Sequence, residues 1–323
     1  MIIGHEKIWN FLKQSAARNR LAHAYFFVGP SEIGKKKVAI EFIKSLQCEN
    51  SNEFNPCNCC RSCSQIEKGA HPDVLLAGVR EIGDEEKKNS TEIKIEEARH
   101  IQHHLSLSTF SGKIKAVIID SAENLNIEAA NRLLKTIEEP SPKSILILIS
   151  SEWQKIPLTI LSRCQTIRFS SVKKELIESE LKKYGLGKDR EVKRASVCCC
   201  GRPGAAIKMV MGGQTQKRRE SAIEELGKIL KSDLAERFFY AVKLSKDSVF
   251  ASEILDYWLI WYRDRILESL GLMDLEVFEK GEKNDYSLRR LCLSLKKIKE
   301  TQELLKESGF NSRLIFENLM LAI

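Results

Sequence analysis

The stretch Gly29-Pro30-Ser31-Glu32-Ile33-Gly34-Lys35-Lys36 decides how this chain is read. Just before it, Ala24-Tyr-Phe-Phe-Val28 is a short β-branched and aromatic run that predicts a strand ending at Gly29. Just after it, Val38, Ala39, Phe42, Ile43 and Leu46 recur at helical spacing, so a glycine-rich segment joins a strand to a helix. In that context glycines let backbone N–H groups close around phosphate oxygens at the positive end of a helix, and Lys35 serves the terminal phosphates of a nucleotide. One position departs from the pattern. A magnesium-binding loop carries Ser or Thr after its lysine, and here that position is Lys36, which cannot coordinate a cation.

Working outward, Ile8, Phe11 and Leu12 predict an opening helix, and a further helix is expected from about Lys94 to His104. Ala116–Ile119 and Ser144–Ile149 are strongly apolar strand segments, with a helix over Ile127–Glu138 between them that Pro140 and Pro142 stop. Strand, helix and strand in alternation predict a buried parallel sheet. The first of these strands ends at Asp120, a carboxylate suited to holding magnesium through water. A hydrolysing site also carries a glutamate directly after that aspartate to polarise the attacking water; here Ser121 follows, and a serine is too weak a base. Gly29, Gly34, Lys35 and Asp120 are therefore candidate nucleotide-site residues of a phosphate-loop domain that does not turn over.

Five of the ten cysteines fall in one short segment, and Cys48-x8-Cys57-x2-Cys60-x2-Cys63 has the thiolate spacing of a tetrahedral zinc site. All four positions would be filled by protein, which makes the metal structural. Cys59 stays open as a substitute for its neighbour Cys60. A second run, Cys198 to Cys200, reads as small buried residues, because three adjacent side chains cannot all face one ion. Gly78 to Ser90 is polar and charged, the composition of a flexible loop.

Beyond about Phe169 strand signals disappear. Helical segments near Lys173–Tyr184 and Asp189–Ala195 lead into Gly201-Arg-Pro-Gly204, and from about Gln214 the pattern is helical to the end, with Leu288, Leu291, Leu295, Ile298 and Leu305 on one face. The expected division is 1–168 for the α/β domain with its zinc module at about 48–63, 169–212 for a small helical domain and 213–323 for an all-helical one. A chain of 323 residues with 43% hydrophobic and 30% charged residues has the composition of a globular protein, not of a disordered one. No apolar run approaches the roughly 20 residues that cross a bilayer, and the opening residues carry no apolar leader, so a cytoplasmic protein is expected. The net charge of +8 is modest and dispersed, which predicts weak DNA binding by the chain alone.

Specific runs now point to a family. They are Ile2-Ile-Gly-His-Glu6, Arg20-Leu-Ala-His-Ala-Tyr25-Phe-Phe-Val-Gly-Pro30, the cysteine insertion, Gly69-Ala-His-Pro-Asp73, Ile118-Ile-Asp120, Glu128-Ala-Ala-Asn131-Arg-Leu-Leu-Lys-Thr-Ile-Glu-Glu-Pro140 and Thr159-Ile-Leu-Ser-Arg163-Cys-Gln165. Together they resemble the delta-prime family of bacterial clamp-loader subunits of DNA polymerase III, densely over residues 1 to about 210 and again at Asn311–Met320. The resemblance implies an AAA+ domain, a small helical lid and a helical collar. It implies a non-hydrolysing stator in a ring with motor (gamma/tau) and delta subunits, which acts on the sliding clamp and primer–template DNA through the assembled complex of a bacterial cytoplasm. It implies that Arg163 is an arginine finger reaching a neighbour's ATP, that Ser150 and Ser151 match a polar sensor, and that Arg202 lies near a second sensor position. Structural zinc is the expected cofactor, and whether the decayed loop still holds ATP or ADP is left open. Two rivals are an active AAA+ motor subunit, which needs the missing Ser or Thr at 36 and Glu at 121, and a zinc-dependent nucleic-acid-binding module.

Overall fold

The computed structural model describes residues 2–78, 92–111, 113–211, 213–271, 286–306 and 311–323. Most of the polar stretch expected as a loop, from 79 onward, lies outside them. The chain packs as two compact units: Met1–Ile177 with Gly201–Gly204, and Glu178–Cys200 with Ala205–Ile323.

In the first unit, β1 (Ala24–Val28), β2 (Val74–Gly78), β3 (Lys115–Asp120), β4 (Ser144–Ser150) and β5 (Gln165–Arg168) form a parallel sheet in the order β2-β3-β4-β1-β5. Around it lie α1 (Glu6–Ala17), α2 (Lys35–Gln47), α3 (Arg61–Glu67), α4 (Ile95–Ser106), α5 (Ile127–Glu138) and α6 (Leu158–Leu161). Because strand side chains alternate, the sheet feeds two cores. Phe26, Val117, Ile119, Leu146 and Leu148 face α4 and α5 through Ile101, Leu133 and Ile137. Tyr25, Phe27, Ile118, Ile147 and Ile149 face α1 and α2 through Leu12, Val38, Phe42 and Ile43. A parallel sheet covered on both faces explains why β3 and β4 read as continuous apolar runs.

The sequence reading misses β2 and β5, the two edge strands. β5 has four residues and only Ile167 is buried; its pairing with β1, from Tyr25↔Gln165 to Val28↔Arg168, is a tertiary fact with little local signature.

After β5 the chain forms α7 (Lys174–Lys183), α8 (Asp189–Cys198) and α9 (Pro203–Met211). The second unit is helical, and its largest core is built by α10 (Gly213–Lys231), α11 (Leu234–Ser245), α12 (Ser248–Ser269), α13 (Leu288–Lys306) and α14 (Ser312–Ala322). Trp258 sits at its centre, stacked on Tyr240 and donating its indole N–H to Ala222 O. Leu291 and Ile298 of the expected apolar face are buried, while Leu288 is exposed. The cysteine run needs a correction: Cys198 and Cys199 are buried, but Cys200 is exposed with φ 49° at the turn that ends α8. No helix among the described residues is long and apolar enough to cross a membrane.

Candidate functional site

The phosphate loop leaves the carboxyl end of β1, where α/β sheets bind ligands. Gly29 has φ 155°, and a Cβ there would lie 2.5 Å from Phe169 O, so the turn requires glycine. Gly34, at φ 107°, is the N-cap of α2. The loop is braced from two sides. His5 Nε2 donates to Ile33 O at 2.9 Å and its ring stands edge-on to Phe169. Gly204 N–H donates to Glu32 O at 2.8 Å, which brings the Gly201–Gly204 segment and Arg202 onto the loop.

Both lysines of the loop are engaged internally. Lys35 is buried, and its Nζ donates to Gly29 O at 2.5 Å and Pro30 O at 2.7 Å. Burial lowers its pKa, against the opposing pull of Glu123 and Asp120. Lys36 Nζ lies 3.1 Å from Asp120 Oδ2. The lysine at position 36 thus brings its positive charge to the carboxylate that ends β3. Ser121 has left-handed backbone (φ 56°, ψ 51°), and the 3-10 turn that follows carries Glu123. Glu123 Oε1 accepts from Ser151 Oγ at 2.8 Å, so it is tied to the end of β4. Reading only position 121 overlooked Glu123; its signal was a second carboxylate one short turn beyond Asp120.

Lys35, Lys36, Asp120, Glu123 and Ser151 therefore converge at the carboxyl ends of β1, β3 and β4. Arg163 lies apart from them, after α6, with 41% of its side chain exposed. Its Nε lies 2.8 Å from Glu138 Oε1 in an ion pair, and its Nη1 donates to Thr159 O at 3.0 Å and to Ser162 Oγ at 3.3 Å. Cys164 beside it packs against the core, and burial pushes its thiol up to about 12.

The cysteine cluster is a separate centre. The sulfurs of Cys48, Cys57, Cys60 and Cys63 all lie within 4.8 Å of one another, with Cys48 and Cys60 at 4.0 Å. Tetrahedral zinc at about 2.3 Å from each sulfur needs separations of about 3.8 Å, so the four residues fit the ion. The amides of Cys57, Cys60 and Cys63 donate to the sulfurs of Cys48, Cys57 and Cys60 respectively. N–H groups of Cys59 and Cys60 hold the Cys57 thiol down at about 6. Cys59 is exposed and outside the cluster, and Cys60 is the thiol grouped with the other three. Cys48 ends α2 and Cys60 is the N-cap of α3, so a bound ion would tie these two helices together.

Nearby, Asp73 is fully buried. It accepts from the amides of Phe110 and Ser111 and from Ser111 Oγ, each at 2.7 Å, and pairs with buried Lys115 at 3.0 Å. Burial raises its pKa, but the amides, the hydroxyl and Lys115 outweigh that and hold the carboxyl below its usual range.

Comparison with known proteins adds an independent line. The model of the family described as "DNA polymerase III, delta subunit" matches residues 4–173, more than half of the chain. DNA polymerase III subunit delta' of Bacillus subtilis (strain 168) is 27% identical over 277 residues, covering 84% of this chain and 80% of that one. The delta' subunit of Pseudomonas aeruginosa is 25% identical over 326 residues, covering 98% and 94%. Subunit tau of Bacillus subtilis is 34% identical over 196 residues, which are 61% of this chain; the chain spans only 33% of that relative's length. A sheet, loop and cysteine module of the expected kind, matched over most of the first unit, identify this chain as a member of the DNA polymerase III delta subunit family and as a clamp-loader delta-prime-like protein.

Proposed function

We propose that this chain is the non-hydrolysing delta-prime stator of a bacterial clamp loader, working in the cytoplasm beside gamma/tau motor and delta subunits. The observation that carries the reading is the Lys36–Asp120 ion pair at 3.1 Å. Hydrolysis needs a divalent ion between phosphate and carboxylate and a base to activate water. A tethered ammonium beside Asp120 competes for the first role, and Ser121 cannot take the second. In this reading the first unit supplies Arg163 to the ATP of a neighbouring motor subunit, the helices within 169–212 serve as lid, and 213–323 serve as the collar through which the ring assembles. Sliding clamp and primed DNA are met through the assembled complex. Cys48, Cys57, Cys60 and Cys63 hold a structural zinc, which stabilises the module without chemistry of its own.

A motor reading is favoured by one observation, the 34% identity with tau against 27% with delta' from the same organism. Coverage of 80% and 94% of the two delta' relatives against 33% of tau weighs the other way. ATP turnover separates the two. The isolated chain is expected to show none above background, with or without clamp and primed DNA, whereas a turnover of even ~1 per second, at the slow end of enzymes, overturns the stator reading. In a ring reconstituted with gamma/tau and delta, Arg163→Ala is expected to lower clamp-stimulated turnover by a factor of ~10³ or more at the site it completes. A ring that keeps its full rate rejects the finger.

A further inference from the structure

We infer that Glu138 is the positioning residue for Arg163: it holds the guanidinium by its inner edge so that the outer nitrogen is presented to a neighbouring subunit's nucleotide. This rests on the finger reading above and adds a residue to it. Glu138 is the last residue of α5, and Arg163 follows α6. Both side chains are partly exposed, at 45% and 41%, yet they meet at 2.8 Å through Nε, the N–H nearest the backbone. Thr159 O and Ser162 Oγ take Nη1 at 3.0 and 3.3 Å. Nη2 has no hydrogen-bond partner among the described residues, so its two N–H bonds are the ones an incoming phosphate oxygen finds.

The backbone beneath is held as well. Arg163 N donates to Ile160 O and Cys164 N to Leu161 O, and Cys164 is packed into the core. What would otherwise stay free is the long side chain itself, and an arginine loses much rotamer freedom when it must act from one place. A carboxylate on Nε removes most of that freedom before the neighbour arrives, which is how a distant residue contributes to a rate. As an exposed ion pair it adds little to folding. The same chemistry excludes Glu138 from touching the phosphate, since two anions repel.

The test uses the reconstituted ring and measures the partner's ATP turnover. Glu138→Ala is expected to lower kcat about tenfold with the KM for ATP unchanged, because the arginine is still present but seldom in place. Glu138→Gln, whose amide oxygen can occupy the place of the carboxylate oxygen beside Nε, is expected to restore the rate to within about threefold. The thermal midpoint of the purified chain should move by no more than about 2 °C in either variant. In an Arg163→Ala background, Glu138→Ala should have no further effect. A normal rate for Glu138→Ala beside an impaired Arg163→Ala ring overturns the positioning role while leaving the finger intact. A faster Glu138→Ala ring overturns it too, since the carboxylate would then be a restraint. An equal loss in the Arg163→Ala background assigns Glu138 a different job. A normal rate for Arg163→Ala itself rejects the finger and, with it, this inference.

Discussion

Two lysine–aspartate pairs, both near 3 Å, illustrate how burial decides what a residue is worth. Lys36 and Asp120 have 51% and 31% of their side chains exposed, so water screens them and the pair adds at most about 1 kcal/mol to folding. Lys115 and Asp73 are at 6% and 0%. Removing Asp73 leaves a buried ammonium without its counter-charge and two amides without an acceptor, at a cost of roughly 3–5 kcal/mol. Asp73→Asn should therefore lower the denaturant-derived stability by that amount and Asp120→Asn by less than about 1 kcal/mol; equal losses would contradict the distinction. Because folding lowers the Asp73 pKa, its contribution is complete above the unfolded value near 4 and is lost as pH falls below it. The stability gap between the native chain and Asp73→Asn should accordingly shrink in acid below about pH 4, and a gap that widened there would reverse the sign. Lys36 has a different value: in the proposed reading it bears on chemistry while contributing little to stability.

At the scale of elements, the cysteine module is an extension of the phosphate-loop helix. Cys48 ends α2, Lys113 Nζ donates to Gln47 O and Cys48 O, and Gln47 reaches Ser111 and Ile114 O, so the far end of the helix is tied both to the thiol cluster and to the segment before β3. The purified protein is expected to carry about one zinc per chain, bound with ~10 kcal/mol or more. Cys63→Ser should lose it and Cys59→Ser should keep it, as read by metal analysis; loss in Cys59→Ser would mean that the fourth ligand is misassigned. On chelation, amide exchange should speed up at Ser45–Cys48 and much less at Val38–Phe42, whose helix face is buried against the sheet. Uniform acceleration along α2 would show instead that the metal holds up the whole unit. The strands divide in the same way by context. β3 and β4 are central and were legible as apolar runs, whereas β2 and β5 are edges whose state is set by the neighbour they pair with.

For the whole molecule, a net charge of +8 spread over the chain predicts electrostatic, sequence-independent contact with DNA. The isolated chain should bind primed duplex only in the range of ~10⁻⁴ to 10⁻⁶ M at physiological salt and lose affinity as salt rises. Nanomolar binding that survives high salt, or binding abolished by zinc removal, would return the zinc-dependent nucleic-acid module to consideration. What the sequence by itself determined is everything carried by local order and period. The strand–glycine loop–helix joint, the C-x2-C spacing, the lysine that follows Lys35 and the serine that follows Asp120 are relations among neighbours, and the chain geometry of neighbours is nearly the same in any fold. The tertiary structure decided which distant groups meet. Lys36 reaches Asp120, Glu138 reaches Arg163, Ser151 reaches Glu123, and Asp73 draws in Lys115 and the Phe110–Ser111 amides. Each of these pairs joins segments far apart in the chain. Their meeting follows from strand order and helix packing, because a polar side chain finds its partner only after the apolar layers beneath it have been stacked.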